Sequence, residues 1–162
     1  MHVTLFKYSI YTMSTKTKTP RKPAKKPVKK LSKLAKAKTK PCSRYWRNKA
    51  DTAWSLVVRR DGRCLICGRT DHLQAHHLIT RWVPQLRHEP LNGVCCCPTH
   101  HKWDKKISGH QSPFGLAWLL QRDQPEKWEW LMQTFDRWDE ATAVDINYEQ
   151  AYAKLDELLK SQ

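Results

Sequence analysis

The chain has 162 residues and a mass of 19.1 kDa, room for one modest domain with appendages and too little for two well-filled cores. Its formal net charge of +15 is lopsided: residues 1–50 hold 16 Lys and Arg with no Asp or Glu, while residues 51–162 hold 14 basic against 15 acidic side chains, a net of −1. A basic arm on a nearly neutral domain fits a polyanionic partner, nucleic acid ahead of an acidic membrane.

The opening stretch from Val3 to Met13 is apolar in places. It lacks a basic leader, a long uninterrupted apolar run and a small-residue cleavage site, so neither a signal peptide nor a membrane span is expected. Composition changes at Met13, which makes that residue an alternative start. From residue 14 to 40 the chain is Lys, Pro, Thr, Ala and Ser, with prolines at 20, 23 and 27 and almost nothing to bury. Such a segment does not offset its ordering entropy and is expected to be disordered. Lys25, Lys26, Lys29 and Lys30 in it are candidate phosphate contacts of a salt-dependent, sequence-blind tether. A solubilising linker or a localisation signal is the plainer alternative.

Over residues 43–60, Trp46, Ala50, Ala53, Trp54, Val57 and Val58 recur at helical spacing, and Asp61-Gly62 supplies a stop. The helix delivers the chain to Cys64-Leu-Ile-Cys67. Cys97-Pro-Thr-His100 follows thirty residues later with the spacing of a second ligand pair. Two such pairs suit a closed tetrahedral zinc site that helps to fold a domain with little core. Cys95 and Cys96 compete for the register, but only Cys97 is separated from His100 by two residues. Thiol redox chemistry at Cys64 and Cys67 is disfavoured because the motif does not sit in a βαβ pattern. Three consecutive cysteines also fit metal ligation in a reducing compartment better than a disulfide framework.

A zinc site closed in this way leaves His76, His77, Asn92 and His101 unused beside it. Residues 73–78 read as a strand, 93–96 as its antiparallel partner and 99–106 as a helix. That helix brings His101 beside His76 as a two-histidine metal site with open positions and leaves His77 free as a base.

Further on, 113–121 and 125–135 each begin with a proline suited to a first helical turn, with Phe114, Trp118, Leu119, Trp128, Leu131 and Phe135 expected inward. Asp145 is the expected cap of a last helix carrying Ile146, Ala151, Tyr152, Leu155, Leu158 and Leu159 on one face.

The order His-His, Asn, His, framed by C-x-x-C and C-x-x-H, resembles the HNH endonuclease family over about residues 54–120. The segments A-H-H-L-I-T-R, L-R-H-E-P-L-N-G and C-P-T-H-H carry the likeness, which extends to phage-encoded proteins of the recombination-endonuclease type. The resemblance implies a small α+β fold: a zinc-stapled ββα-metal (HNH) core flanked by α-helices, with a disordered basic tail. It also implies a division into a tail over 1–42, a nuclease domain over 43–110 and a helical extension over 111–162. Its implied activity is metal-dependent hydrolysis of DNA phosphodiester bonds, leaving 5′-phosphate and 3′-hydroxyl ends, in the cytoplasm or nucleoid of a host cell if the chain is phage-encoded.

Position by position, His76 falls on the first ligand of the catalytic ion, where many relatives have Asp, and His101 on the second. His77 falls on the general base and Asn92 on the residue that braces the loop and orients the base. Two imidazoles soften the site, so Mn²⁺, Ni²⁺ or Zn²⁺ compete there with Mg²⁺. Many relatives place a further His where this chain has Lys105; His110 is either its replacement after a local insertion or a surface residue. Arg81, Arg87, Lys102, Lys105 and Lys106 are candidate phosphate contacts. Trp82 and Trp103 are candidates to pack on sugars or wedge a distorted duplex, and covering the small zinc core is the plainer expectation. The alternative to a nuclease is a zinc-binding DNA-binding module without catalysis.

Overall fold

A computed structural model describes residues 40–137 and 146–161. Lys25, Lys26, Lys29, Lys30 and Asp145 lie outside the described residues. The elements run α1 (Arg44–Val58), β1 (Gln74–His77), a 3-10 turn (Pro90–Asn92), β2 (Gly93–Cys96), a π-helical turn (Thr99–Trp103), α2 (Pro113–Asp123), α3 (Pro125–Asp136) and α4 (Tyr148–Lys160). Among the described residues this is a small mixed α+β arrangement of two antiparallel strands and four α-helices. No helix among the described residues is long and apolar enough to cross a membrane.

The hairpin pairs His76 with Val94 and His77 with Gly93. Gly93 is a packing requirement, because a Cβ there would meet the Trp54 ring at 2.8 Å and collide with Val58. Its absence lets α1 lie directly across the strands. Ala50, Ala53 and Trp54 of α1 are buried together with Leu155 of α4, and Ala75, Val58 and Tyr152 pack around them. The C-terminal helix thus completes the core of the first one.

A second cluster joins Val94 and Cys96 of β2 to Leu116 and Leu120 of α2, with Ile66 and Trp128 packed against it. Burying each such leucine contributes about 2 kcal/mol. The two clusters clamp the hairpin from opposite sides, and segments beyond residue 110 belong to both.

Several sequence expectations are corrected. The inner face of α2 is Leu116, Leu119 and Leu120, while Phe114, at 85% exposure, and Trp118 face outward. The phase is set by Gly115: a Cβ there would collide with the Lys106 carbonyl, so this turn packs backbone to backbone and rotates the aromatics away. On α3, Leu131 is buried and Trp128 partly so, but Phe135 is exposed. The helix expected over 99–106 is only a five-residue π-helical turn. Asp104 ends it, taking extended backbone angles and accepting hydrogen bonds from the Lys106 and Ile107 amides, both at 2.8 Å. Asn147 caps α4, its Oδ1 accepting from the Gln150 amide at 3.0 Å, and Ile146 precedes the helix.

Candidate metal centre

After α1, the chain reverses through Cys64–Cys67. The Gly68 amide donates to the Cys64 carbonyl at 2.9 Å, and Gly68 takes the left-handed conformation (φ 71°) that this reversal needs. The Leu65 amide donates to the Cys95 carbonyl at 2.9 Å, which pins the turn to the end of β2. Cys97 follows β2 directly, and the π-helical turn carries His100 back over it.

Cys64 Sγ, Cys67 Sγ, Cys97 Sγ and a His100 ring nitrogen all lie within 4.8 Å of one another. Cys67 and Cys97 sulfurs are 3.9 Å apart, and His100 Nδ1 stands 3.4 Å from Cys97 Sγ and 3.7 Å from Cys64 Sγ. Bonds of about 2.3 Å to sulfur and 2.0 Å to nitrogen at tetrahedral angles put such atoms about 3.8 Å and 3.5 Å apart. The donor set and spacing therefore fit a structural metal such as zinc.

His100 Nε2 faces the Asp104 carboxylate at 3.8 Å, beyond direct hydrogen-bond distance. Cys96 is outside the cluster, and burial pushes its thiol up to about 12, as befits an apolar core residue. Burial acts the same way on Cys97, but hydrogen bonds from His100 and Cys67 outweigh it and favour the thiolate.

A second group forms around His76. His76 of β1, His101 of the π-helical turn and His110 offer ring nitrogens that all lie within 4.8 Å of one another. The three rings make a triangle with centroids 5.0–5.1 Å apart. His110 arrives on a tight loop. Ser108 is fully buried, its Oγ accepts from the amides of Gln111 at 3.0 Å and Ser112 at 3.2 Å, and the Gly109 amide donates to the His100 carbonyl at 3.0 Å.

Gly109 lies flat against His76, where a Cβ would stand 2.5 Å from the ring. Gln74 accepts through Oε1 from His101 Nδ1–H, which leaves the lone pair on His101 Nε2. Burial first, then the neighbouring imidazoles, holds His76 down to about 4, so the ring is neutral and able to ligate at pH 7.

His77 stands apart from this triangle. Its ring stacks on Trp54, with centroids 3.7 Å apart and planes 11° from parallel. Its Nε2–H donates to the Arg87 carbonyl at 2.9 Å; because a carbonyl only accepts, the lone pair of the neutral ring resides on Nδ1. His76 and His77 occupy the end of β1, and both line one cleft of about 660 Å³ with Thr80, Arg81, Trp82, His101, Lys102 and His110.

Asn92 is fully buried and holds the loop above the cleft. Its Oδ1 accepts from the Ile79 amide at 2.7 Å, while Nδ2 donates to the carbonyls of Ile79 at 3.0 Å and Leu86 at 2.8 Å. Leu86 adjoins Arg87, whose carbonyl fixes His77.

Arg81 and Lys102 line the cleft and are exposed. Lys105 and Lys106 are exposed on the turn that follows. Arg87, expected among the phosphate contacts, is instead an internal clamp. Its Nε and an Nη donate to the two oxygens of Asp51 at 2.7 Å each, and His88 meets the same carboxylate at 2.8 Å. Burial alone would raise the Asp51 carboxyl, but hydrogen bonds from Arg87 and His88 outweigh it and hold the group far below the usual range. Trp82, 80% exposed, and Trp103, 69% exposed, stand in solvent and belong to neither buried cluster; leucines of α2 and Ile66 pack on Val94 and Cys96 instead.

Sequence reasoning missed Gln74, Gly109, Trp54 and Asp51, and left His110 open. Only Gly109, a glycine beside a histidine, carried any local signal. The chain matches no family model, no curated protein and no solved structure.

Proposed function

We propose that the protein is a metal-dependent endonuclease of the ββα-metal kind that hydrolyses DNA phosphodiester bonds. What carries the reading is the division of labour in one cleft: three histidines converge as a ligand set, and a fourth is fixed by a carbonyl with its lone pair unused. A module that only binds has no need of the fourth.

A divalent ion held by His76, His101 and His110 would supply positive charge to the phosphate and its departing oxygen. The all-imidazole set favours Mn²⁺, Ni²⁺ or Zn²⁺ alongside Mg²⁺. His77 Nδ1 takes the proton from the attacking water. The resulting imidazolium keeps its Nε2–H on the Arg87 carbonyl, which stabilises the charge. The Trp54 ring holds the imidazole in plane, and Asn92 holds the loop that supplies the carbonyl. Arg81 and Lys102 bind phosphates flanking the cut, and the products carry 5′-phosphate and 3′-hydroxyl ends.

The test is incubation of the zinc-loaded protein with supercoiled plasmid and added Mg²⁺ or Mn²⁺, beside His76→Ala and His101→Ala. Nicked or linear product from the parent, lost in both variants, supports the reading. Intact plasmid that is still retarded on a gel makes the protein a binding module instead.

A further inference from the structure

Trp82 is an expensive residue to leave in water. It is 80% exposed, on a turn that is itself rigidly held: Asn92 bonds both the amide and the carbonyl of Ile79, the Val83 amide donates to the Thr80 carbonyl at 3.0 Å, and an Arg87 Nη donates to the Arg81 carbonyl at 3.2 Å. The other tryptophans with ring partners differ. Trp54 lies on His77, Trp46 meets Tyr45 and Tyr152, and exposed Trp118 has the Arg122 guanidinium 4.7 Å above its ring. Trp82 has neither ring nor cation partner among the described residues, and it lines the cleft that holds the histidine triangle, which Arg81 and Lys102 also line.

An exposed aromatic ring on a rigid turn, in a cleft that also carries cations, is the construction that receives a nucleic-acid strand: cations hold the backbone, and the ring stacks a base. In a continuous duplex each base is already covered by its neighbours and offers only its edges to the grooves. A plane at the cleft rim therefore meets a base face only where the base has left the stack.

We propose that Trp82 stacks on an unpaired nucleobase next to the phosphate entering the cleft, so that the preferred substrate is single-stranded or locally unpaired DNA rather than continuous duplex. The inference rests on the reading above only in that a nucleic-acid strand enters this cleft. A protein or peptide on the same surface would not discriminate between nucleic-acid forms.

The test is fluorescence anisotropy with a short labelled oligo(dT) and a blunt duplex of equal length, in zinc-loaded full-length protein carrying His77→Ala to prevent turnover. Trp82→Ala weakens oligo(dT) binding about tenfold, and Trp82→Phe restores most of it, as loss and return of one base stack requires. Duplex affinity stays within about twofold, because its phosphate contacts are untouched. Equal weakening of both ligands, or no weakening of either, overturns the proposal. An oligonucleotide with 2-aminopurine shows quenching with Trp82 and recovery in Trp82→Ala; unchanged fluorescence in both overturns it as well. Failure of cleavage by the parent protein leaves these binding readouts unaltered, so loss of the nuclease reading and loss of the stacking surface are separable.

Discussion

The indole of Trp54 lies on the imidazole of His77, ring centroids 3.7 Å apart, while the indole N–H donates to the Glu89 carbonyl at 2.9 Å. One helix residue therefore fixes both the ring proposed as the base and the loop whose Arg87 carbonyl orients it. This coupling sets the pH behaviour. Burial first disfavours the charged form of His77 and lowers its pKa from the ordinary 6.5, against a smaller opposing effect of the Arg87 carbonyl. The base is active when neutral, so the acid limb of the rate profile lies below pH 6.5 and activity falls only as pH drops through that lowered value. A kcat profile with Mn²⁺ checks this; an acid limb at or above 6.5 contradicts it.

Zinc analysis of purified protein should find the Cys64, Cys67, Cys97 and His100 group loaded. Cys97→Ser loses that ion and the cooperative thermal transition, because a structural site of this type supplies about 10 kcal/mol or more of folding free energy. Cys96→Ala keeps the metal and costs about 1 kcal/mol, since Cys96 belongs to the apolar cluster with Val94 and Leu120.

Arg87 and Lys102 separate stability from binding. Arg87→Ala leaves the Asp51 carboxylate with His88 alone and lowers stability by about 2 kcal/mol, with little change in the salt dependence of DNA binding. Lys102→Ala leaves stability within about 0.5 kcal/mol and reduces the salt slope by about 1. Urea titration and binding at several salt concentrations read the two effects.

Gly109→Ala tests the loop that delivers His110. The added methyl meets the His76 ring at 2.5 Å and pushes the triangle apart. Cleavage falls about 100-fold, an order expected from misplacing a reacting group, while the zinc-type cluster and the thermal transition persist. Asn92→Ala differs in kind. It strands the buried amide and carbonyl of Ile79 and leaves the Leu86 carbonyl only the Glu89 amide at 3.3 Å, so it costs about 3 kcal/mol as well as activity.

The legibility of the site in the sequence follows the range of the forces involved. Cys64-x-x-Cys67 and Cys97-x-x-His100 were readable because a metal demands fixed spacing along the chain, and helices such as α1 because periodicity is local. His110 was not, since its approach depends on a loop closed by Ser108 and on a glycine with no side chain to clash. Arg87 looked like any exposed base until α1 placed Asp51 against it, 36 residues away in sequence. Phe114 and Trp118 read as core because an aromatic helical stripe usually is; backbone contact at Gly115 chose the other face. Trp82 reads as a covering residue, yet it stands 80% exposed, and leucines of α2 pack on Val94 and Cys96 without it.

His77 is proposed to work as a base beside an ion rather than as a structural ring. Single-turnover cleavage of plasmid by zinc-loaded protein with Mn²⁺, compared with His77→Ala at matched folding, measures that most directly. The account predicts a loss of about 100-fold or more in the variant with retained DNA affinity, the range expected for removing a general base. Equal rates in the two proteins, or no cleavage by either, would contradict it.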